Sequence, residues 1–320
     1  LPVLSDQERA KVGVIYVQDS RFRARKMGAA FVARNAAHHL ENQLAEKDGS
    51  YRPLVYCWRG GQRSESFAVI LAQLGWRVEV LKGGYRSYRS LVVDTLYDTP
   101  FPSPVVVLGG NTGTAKTDLL LQLQKLGHQV IDLEGLANHR GSLFGERIGG
   151  QPTQKAFENA LAQKICNLDP ARPVVVEAES NKIGTLHVPV GLWKAMCAAP
   201  RIMLEVPLCE RAQYLTRVYG DIIADRDHLL KIICKLKRFH AANRIDEWQT
   251  LAKEGAFETL AAGLMEYHYD PRYIKQNAQE KGSPDVTLAF DDLSSNGLGR
   301  AAVCLSKRVT AVVDYDMTAQ

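Results

Sequence analysis

The chain has 320 residues, 46% of them apolar. That is enough for about two domains of ordinary size and too apolar for a chain dominated by disorder. Lys and Arg outnumber Asp and Glu by 40 to 35, a net charge of +5, which is compatible with an anionic partner without demanding one. No apolar run approaches the ~18 residues of a membrane span, and the opening LPVLSDQERA lacks the basic-then-apolar pattern of a secretory signal. The expected location is cytoplasmic, with no membrane partner.

In chain order, residues 23–46 place Met27, Ala30, Phe31, Ala37 and Leu44 near helical spacing. Residues 53–57 read as a buried strand, 64–74 as a helix and 77–81 as a second strand, together a βαβ unit. VDTLYDTPFPSP (93–104) carries three prolines and reads as a linker. Beyond it PVVVLGG is a strand, and KTDLLLQLQKLG is a helix that Gly127 should stop. HQVIDLEG, RPVVVEAES (172–180) and RIMLEVP (201–207) read as further strands. The pattern turns helical over 208–275, and DVTLAFDD and TAVVDYD are late strand candidates.

Six cysteines are present, without CxxC pairs or zinc-type spacing, which suggests a reducing compartment. Cys166, Cys197, Cys209 and Cys234 have apolar neighbours and are expected in the core. Cys57 differs, because CWRGGQRS follows a strand and opens a helix. Gly60 and Gly61 let the backbone curl so that successive N–H groups converge with the helix dipole. Arg59 and Arg63 add positive charge, with Trp58, Gln62 and Ser64 completing the loop. A thiol in such a field should have a depressed pKa. Two chemistries remain open here: the spacing from Cys57 to Arg63 also describes cysteine phosphatases, and the alternative is a rhodanese-type sulfur carrier.

A second loop, GGNTGTAKT, follows a strand and opens a helix, and nearly fits GxxxxGK[ST]. Its phosphate-binding candidates are Gly110, Asn111, Thr112, Gly113, Thr114, Ala115, Lys116 and Thr117. Lys116 would neutralise phosphate charge and Thr117 could reach Mg²⁺. Ala115 stands where the pattern wants glycine, tolerable if its dihedrals are helical. Asp132, Glu134, His139, Arg140, Glu177 and Glu179 fall at the ends of strands, where open α/β sheets bind ligands. Of these, Glu177 and Glu179 are as compatible with surface carboxylates as with a Mg²⁺ contact. No metal site is assigned with certainty, and no tightly bound cofactor is expected. Lys231, Lys235, Lys237, Arg238 and Arg244 give 227–244 a basic face suited to a nucleic-acid backbone. Tyr267, His268, Tyr269 and Tyr273 could stack bases.

The expected architecture is α/β: a βαβ domain over 1–92, a linker over 93–104, and a P-loop-like parallel-sheet domain over 105–320 with a helical region at 208–275. CWRGGQRS with LKGGYRSYR, LGGNTGTAKT, VIDLEGLANHRGSLFG and VEAESNKIG together resemble the bacterial tRNA 2-selenouridine synthase family. The agreement in order and spacing runs to about residue 275, and DLEGLANHRGS is its most distinctive element.

The resemblance implies a transferase with a rhodanese-like first domain and a P-loop second domain. It would replace the sulfur of wobble 2-thiouridine in tRNA with selenium from selenophosphate. It would also geranylate that sulfur from geranyl diphosphate. Cys57 occupies the family's essential cysteine position and residues 110–117 its Walker-like loop. A selenophosphate-producing enzyme is an implied partner. The alternative is a rhodanese-type sulfurtransferase or cysteine phosphatase fused to a P-loop NTPase. Rhodanese-like domains usually begin with a strand ahead of the LPVLSD point, so either that strand is absent or the sequence is part of a longer protein; a first domain without it would have an unpaired sheet edge.

Overall fold

The computed structural model describes residues 1–58, 61–279 and 286–318. They form two compact units, Leu1–Val93 and Asp94–Gln320. Arg59 and Gly60, two residues of the predicted cysteine loop, lie outside the described residues.

The first unit opens with two helices, α1 (Asp6–Gln18) and α2 (Arg21–Glu41). Ser5 caps α1: its hydroxyl accepts the Glu8 N–H, and the Glu8 carboxylate accepts the Ser5 N–H. The Ser-x-x-Glu signal of this cap is present in the sequence, although apolar periodicity alone did not mark α1. Strand β1 (Leu54–Val55), helix α3 (Gln62–Gln73) and strand β2 (Glu79–Val80) follow, with β1 and β2 paired in parallel. Helix α4 (Tyr85–Val93) ends the unit. The βαβ order is as expected, but the strands are shorter than 53–57 and 77–81. Ala36, Leu44, Val55, Phe67, Ala68, Leu71 and Trp76 form the core, each large member contributing roughly 1.5–3 kcal/mol by burial.

The second unit begins with a π-helical turn, Asp94–Asp98, inside the stretch read as a linker. Leu96 is buried there and Tyr97 donates a hydrogen bond to Glu158, 2.8 Å away. The three prolines begin only at residue 100, so nothing breaks the helix before them.

Five parallel strands follow: β3 (Val105–Gly110), β4 (Gln129–Ile131), β5 (Val174–Glu177), β8 (Arg201–Glu205) and β9 (Val286–Ala289). Their order is β4-β5-β3-β8-β9. The first strand is therefore central, and its continuous apolar run is buried throughout. A small antiparallel hairpin, β6 (Lys182–Ile183) and β7 (Leu186–His187), stands apart.

Helices α5 (Lys116–Lys125), α6 (Leu133–Ala137), α7 (Gln154–Cys166) and α8 (Val190–Ala198) alternate with the strands. The helical region comprises α9 (Leu208–Val218), α10 (Gly220–Ala224), α11 (Arg226–Lys235), α12 (Ala242–Glu254), α13 (Phe257–Leu264) and α14 (Asp270–Gln279). A 3₁₀ turn at Leu236–Arg238 and a π turn at Met265–Tyr269 interrupt it. Helix α15 (Ser295–Thr318) closes the chain.

Three expectations are corrected here. TAVVDYD is part of α15, not a strand, because Leu298, Ala301, Ala302, Leu305 and Val309 already set a helical stripe that enters the sheet core. HQVIDLEG stops being strand at Ile131, because the Asp132 carboxylate accepts the Gly135 N–H and caps α6. Cys166, Cys197 and Cys209 are exposed and Cys234 is half-buried; the buried thiol is Cys57. The apolar neighbours of those four belong to the opposite faces of their helices.

Candidate active site

Cys57 sits two residues past β1, where the chain enters the loop to α3. Its backbone carbonyl accepts the Tyr85 N–H at 2.9 Å. This crossing depends on Gly84, whose φ is +64° and where a Cβ would collide with the Cys57 carbonyl. The KGG of the second motif thus lets α4 start beneath the cysteine. Gly61, with φ of +76°, turns the chain into α3. The Ser64 hydroxyl donates to Cys57 Sγ at 3.5 Å.

Burial pushes the thiol up, but hydrogen bonds from the Ser64 side chain and from the Ser64 and Gly61 backbone, with the Arg63 charge, outweigh it. Cys57 is held below its ordinary pKa. A cleft of about 610 Å³ reaches it, lined also by Trp58, Arg63, Ser64 and Tyr85. Trp58 stacks on Tyr85 with ring centres 5.0 Å apart. Gln62, the first residue of α3, is exposed and outside that lining. No Asp or Glu lines the cleft among the described residues.

The second loop lies at the carboxyl end of β3, where the strand order reverses between β5 and β8, the position at which open α/β sheets bind ligands. Lys116 Nζ donates to the carbonyls of Gly110 and Asn111 at 2.7 and 3.4 Å. Thr114 is buried and its hydroxyl donates to Asn111 O. Gly113 has φ of +86° and packs against Arg211 and Leu215. Ala115 is not helical: its φ of 58° and ψ of 31° are left-handed. That costs an L-residue ~1–2 kcal/mol, offset in part by burying its methyl, worth about 0.8 kcal/mol. Alanine at the glycine position is therefore a small penalty.

A cavity of about 510 Å³ surrounds this loop, lined by residues 112–118 together with Glu134, Arg140, Glu179 and others. Thr117 Oγ1 donates to Glu134 Oε2 at 3.2 Å. Glu177 is buried beneath, its Oε1 accepting the Glu134 N–H at 2.7 Å, and burial raises its pKa well above normal. Glu179 is pushed up to about 8, by burial first and by Glu134 second. Glu134 is raised by burial against the pull of Lys116. Burial of these neighbouring carboxyls thus favours their protonated forms. The picture of Glu177 and Glu179 as surface carboxylates is thereby corrected.

This pair makes stability pH-dependent. Glu179 binds its proton more tightly folded than unfolded, so its contribution is full below about pH 4.5 and is lost as pH rises toward 8. The wild-type melting temperature should fall across that window, with a slope of at most ~1.4 kcal/mol per pH unit for this group. Glu179→Gln should flatten the fall; an unchanged slope in thermal melts would contradict the assignment.

The segment after α6 folds over the pair. Asn138 adopts φ of 47° and its amide donates to the Ile148 and Gly150 carbonyls. His139 is buried, accepts the Gly141 N–H at Nδ1, and pairs in a bridge with Glu146. Burial lowers its pKa. His139 and Asp132 thus shape the loop rather than line the cavity, which corrects their reading as residues at its mouth. Gly141 has φ of +67°, and a Cβ there would lie 2.8–2.9 Å from the carboxylate oxygens of Glu179 and Glu134. Gly141→Ala should destabilise the protein by roughly 2 kcal/mol, from left-handed strain plus this contact. A urea midpoint equal to wild type would contradict that.

Several residues that pattern-reading passed over hold the loop in place. Arg211 Nη1 and Nη2 pair with Asp270 at 3.0 and 2.8 Å, and Nη1 also reaches the Thr112 carbonyl at 3.0 Å. The Gly110 N–H donates to Tyr273 Oη at 2.9 Å. Tyr273 therefore serves the phosphate loop and not a base-stacking surface. Tyr269 lines the cavity and His268 is buried, with a hydrogen bond to His240; burial lowers His268 to about 4. Tyr267 is exposed with the Arg244 guanidinium 3.8 Å over its ring. Lys231, Lys235, Lys237 and Arg238 are exposed. They sit on α11 and the 3₁₀ turn after it, and α12 begins only at Ala242.

A family model described as the tRNA 2-selenouridine synthase AAA domain matches residues 103–231. Curated proteins named tRNA 2-selenouridine synthase are similar over most of the chain. The Shewanella loihica protein is 37% identical over 304 residues, covering 86% of this chain and 81% of its own. The Aeromonas salmonicida protein is 37% identical over 305 residues with the same two shares. That of Pseudomonas syringae pv. tomato is 32% identical over 305 residues, covering 86% and 82%. A gluconokinase structure from Sinorhizobium meliloti 1021 is 14% identical, covering 69% of this chain and all of its own, with a TM-score of 0.29; so slight a likeness adds nothing to the sheet order above. On the extent of its identity to these relatives, the chain belongs to the tRNA 2-selenouridine synthase family.

Proposed function

We propose that this protein converts wobble 2-thiouridine in tRNA to 2-selenouridine with selenophosphate, by way of S-geranyl-2-thiouridine made from geranyl diphosphate. The observation that carries the reading is the pairing, in one chain of this family, of an activated thiol with a separate phosphate loop. The first unit is read as rhodanese-like, on its βαβ order and its cysteine loop. Cytoplasmic location and supply by a selenophosphate-producing enzyme belong to the same proposal.

The chemistry divides between the loops. In the second unit, the thiocarbonyl sulfur of 2-thiouridine attacks C1 of geranyl diphosphate. The C–O bond breaks, its electron pair leaves with the diphosphate, and N3 of the base gives up its proton to water. Residues 110–117 receive that charge through backbone N–H groups and Lys116. Alkylation turns a poor leaving group into a thiol leaving group: the selenium of selenophosphate adds at C2, geranylthiolate leaves with the C–S electron pair and takes a proton, and water then cleaves the P–Se bond and releases phosphate. Cys57 handles the chalcogen at the other loop.

Thr117 and the Glu134–Glu179 pair offer hard oxygen donors that fit Mg²⁺, and cation charge would favour their ionised forms. Among the described residues no group of three His, Cys, Asp or Glu side chains is set to hold a metal, so substrate phosphate and water would complete such a shell. Lys231, Lys235, Lys237 and Arg238, with Arg244 on Tyr267, are the proposed tRNA contacts.

The test is substrate dependence. Selenium incorporation should require thiolated tRNA, while thiosulfate and aryl phosphates turn over negligibly. Rapid turnover of either without tRNA would favour the sulfurtransferase or phosphatase reading instead.

A further inference from the structure

The cavity around the phosphate loop contains more cationic donors than one phosphate uses. Besides Lys116, it is lined by Arg140, Arg147 and Arg272. Arg140 Nη2 pairs with Asp221 at 3.0 Å, and its guanidinium lies 4.6 Å over the Tyr219 ring. These contacts fix the guanidinium, yet Arg140 Nη1 is buried with no hydrogen-bond partner, and so is Arg147 Nε. Buried donors of charged groups are rarely left unpaired, because desolvation is then uncompensated. Two such donors in one cavity point to a ligand that completes them.

Both arginines belong to the segment that folds over the acid pair. Its backbone is pinned: Arg140 N–H donates to the Gly145 carbonyl at 2.9 Å, and His139 bridges Glu146. Gly141, next to Arg140, rests on Glu134 and Glu179, and Glu134 in turn accepts the hydrogen bond from Thr117. The arginines are therefore held across the acid pair from the phosphate loop. The planar guanidinium fork matches tetrahedral oxyanions. A polynucleotide backbone reaches exposed cations, whereas these nitrogens are enclosed, which favours a small anion.

We propose that Arg140 and Arg147 form a second oxyanion subsite in this cavity, taking a phosphoryl group distinct from the one seated on residues 110–117. The inference rests on the phosphate-loop reading above. The group comes either from the second phosphate of a diphosphate ligand or from a separate phosphate-type anion such as the selenium donor.

Calorimetric titration of the full chain with orthophosphate and with pyrophosphate tests this. Wild type should bind two orthophosphates, if the anions are separate, or bind pyrophosphate about tenfold or more tightly than orthophosphate, if one ligand spans both. Arg147→Met should retain one orthophosphate and lose the preference for pyrophosphate. It should melt no lower than wild type without ligand, since Arg147 Nε makes no hydrogen bond to lose. Arg147→Lys, which keeps the charge and lacks the fork, serves if the Met variant fails to fold, with the same loss expected. One orthophosphate and equal affinities in wild type would overturn the proposal, as would Arg147 variants that bind both anions like wild type. Lys116→Ala separates the two readings: orthophosphate binding indifferent to Lys116 sinks the phosphate loop, whereas Lys116-dependent binding without Arg147 dependence sinks the subsite alone.

Discussion

Cys57→Ser should abolish selenium transfer to tRNA, by on the order of 10³-fold or more, while leaving the protein folded and any geranylation intact. The oxygen replaces sulfur with almost the same shape and keeps the hydrogen-bonding relation to Ser64. The buried position and the backbone contact to Tyr85 are retained. What is lost is an atom that ionises in this field and can handle a chalcogen. A hydroxyl ionises too weakly for the same hydrogen bonds and the Arg63 charge to compensate. Labelled selenium on tRNA measures the effect. Equal incorporation by both proteins would remove Cys57 from the mechanism.

Lys116→Ala gives the complementary result. If residues 110–117 hold the diphosphate as proposed, geranylation should fall by roughly 10²–10³-fold, the usual consequence of removing one preorganised charge from a developing anion. The Cys57 thiol, in the other unit, keeps its reactivity toward alkylating reagents. Lys116 also opposes the burial of Glu134 and Glu179, so its loss raises both carboxyl pKa values further and makes the phosphate pocket less anionic but also less cationic. The first change cannot replace a cation at the leaving diphosphate. Supplied with tRNA already carrying S-geranyl-2-thiouridine, this variant should still transfer selenium. Cys57→Ser should not. Unchanged geranylation by Lys116→Ala would sink the assignment of the second loop.

The parts of the site that were legible are those written in consecutive residues. The thiol loop and the phosphate loop each combine a strand, glycines with special dihedrals and a helix start, and local spacing reports all three. The Ala115 departure was visible, but its left-handed backbone was not, because a single residue type does not fix φ. Partnerships between distant segments were hidden. Tyr273 meets Gly110 across 163 residues and Arg211 meets Asp270 across 59. Glu134 and Glu179 were both candidates, yet nothing in their neighbourhoods announced that they would be buried side by side. The cysteines erred for a related reason. Apolar neighbours in sequence alternate faces on a helix, so Cys166, Cys197 and Cys209 emerge at the surface. TAVVDYD misled because its β-branched residues outweighed the helical stripe that begins upstream at Leu298.

The central claim is that two loops in one chain exchange sulfur for selenium through an alkylated intermediate. Nucleoside mass spectrometry tests it most directly. The wild-type protein is given 2-thiouridine tRNA, then geranyl diphosphate, then selenophosphate, with digestion after each addition. The account predicts conversion of the thio nucleoside to the geranylthio form after the second addition and to the seleno form after the third. A thio nucleoside unchanged through all three steps, or a seleno product formed at the same rate without geranyl diphosphate, would contradict it.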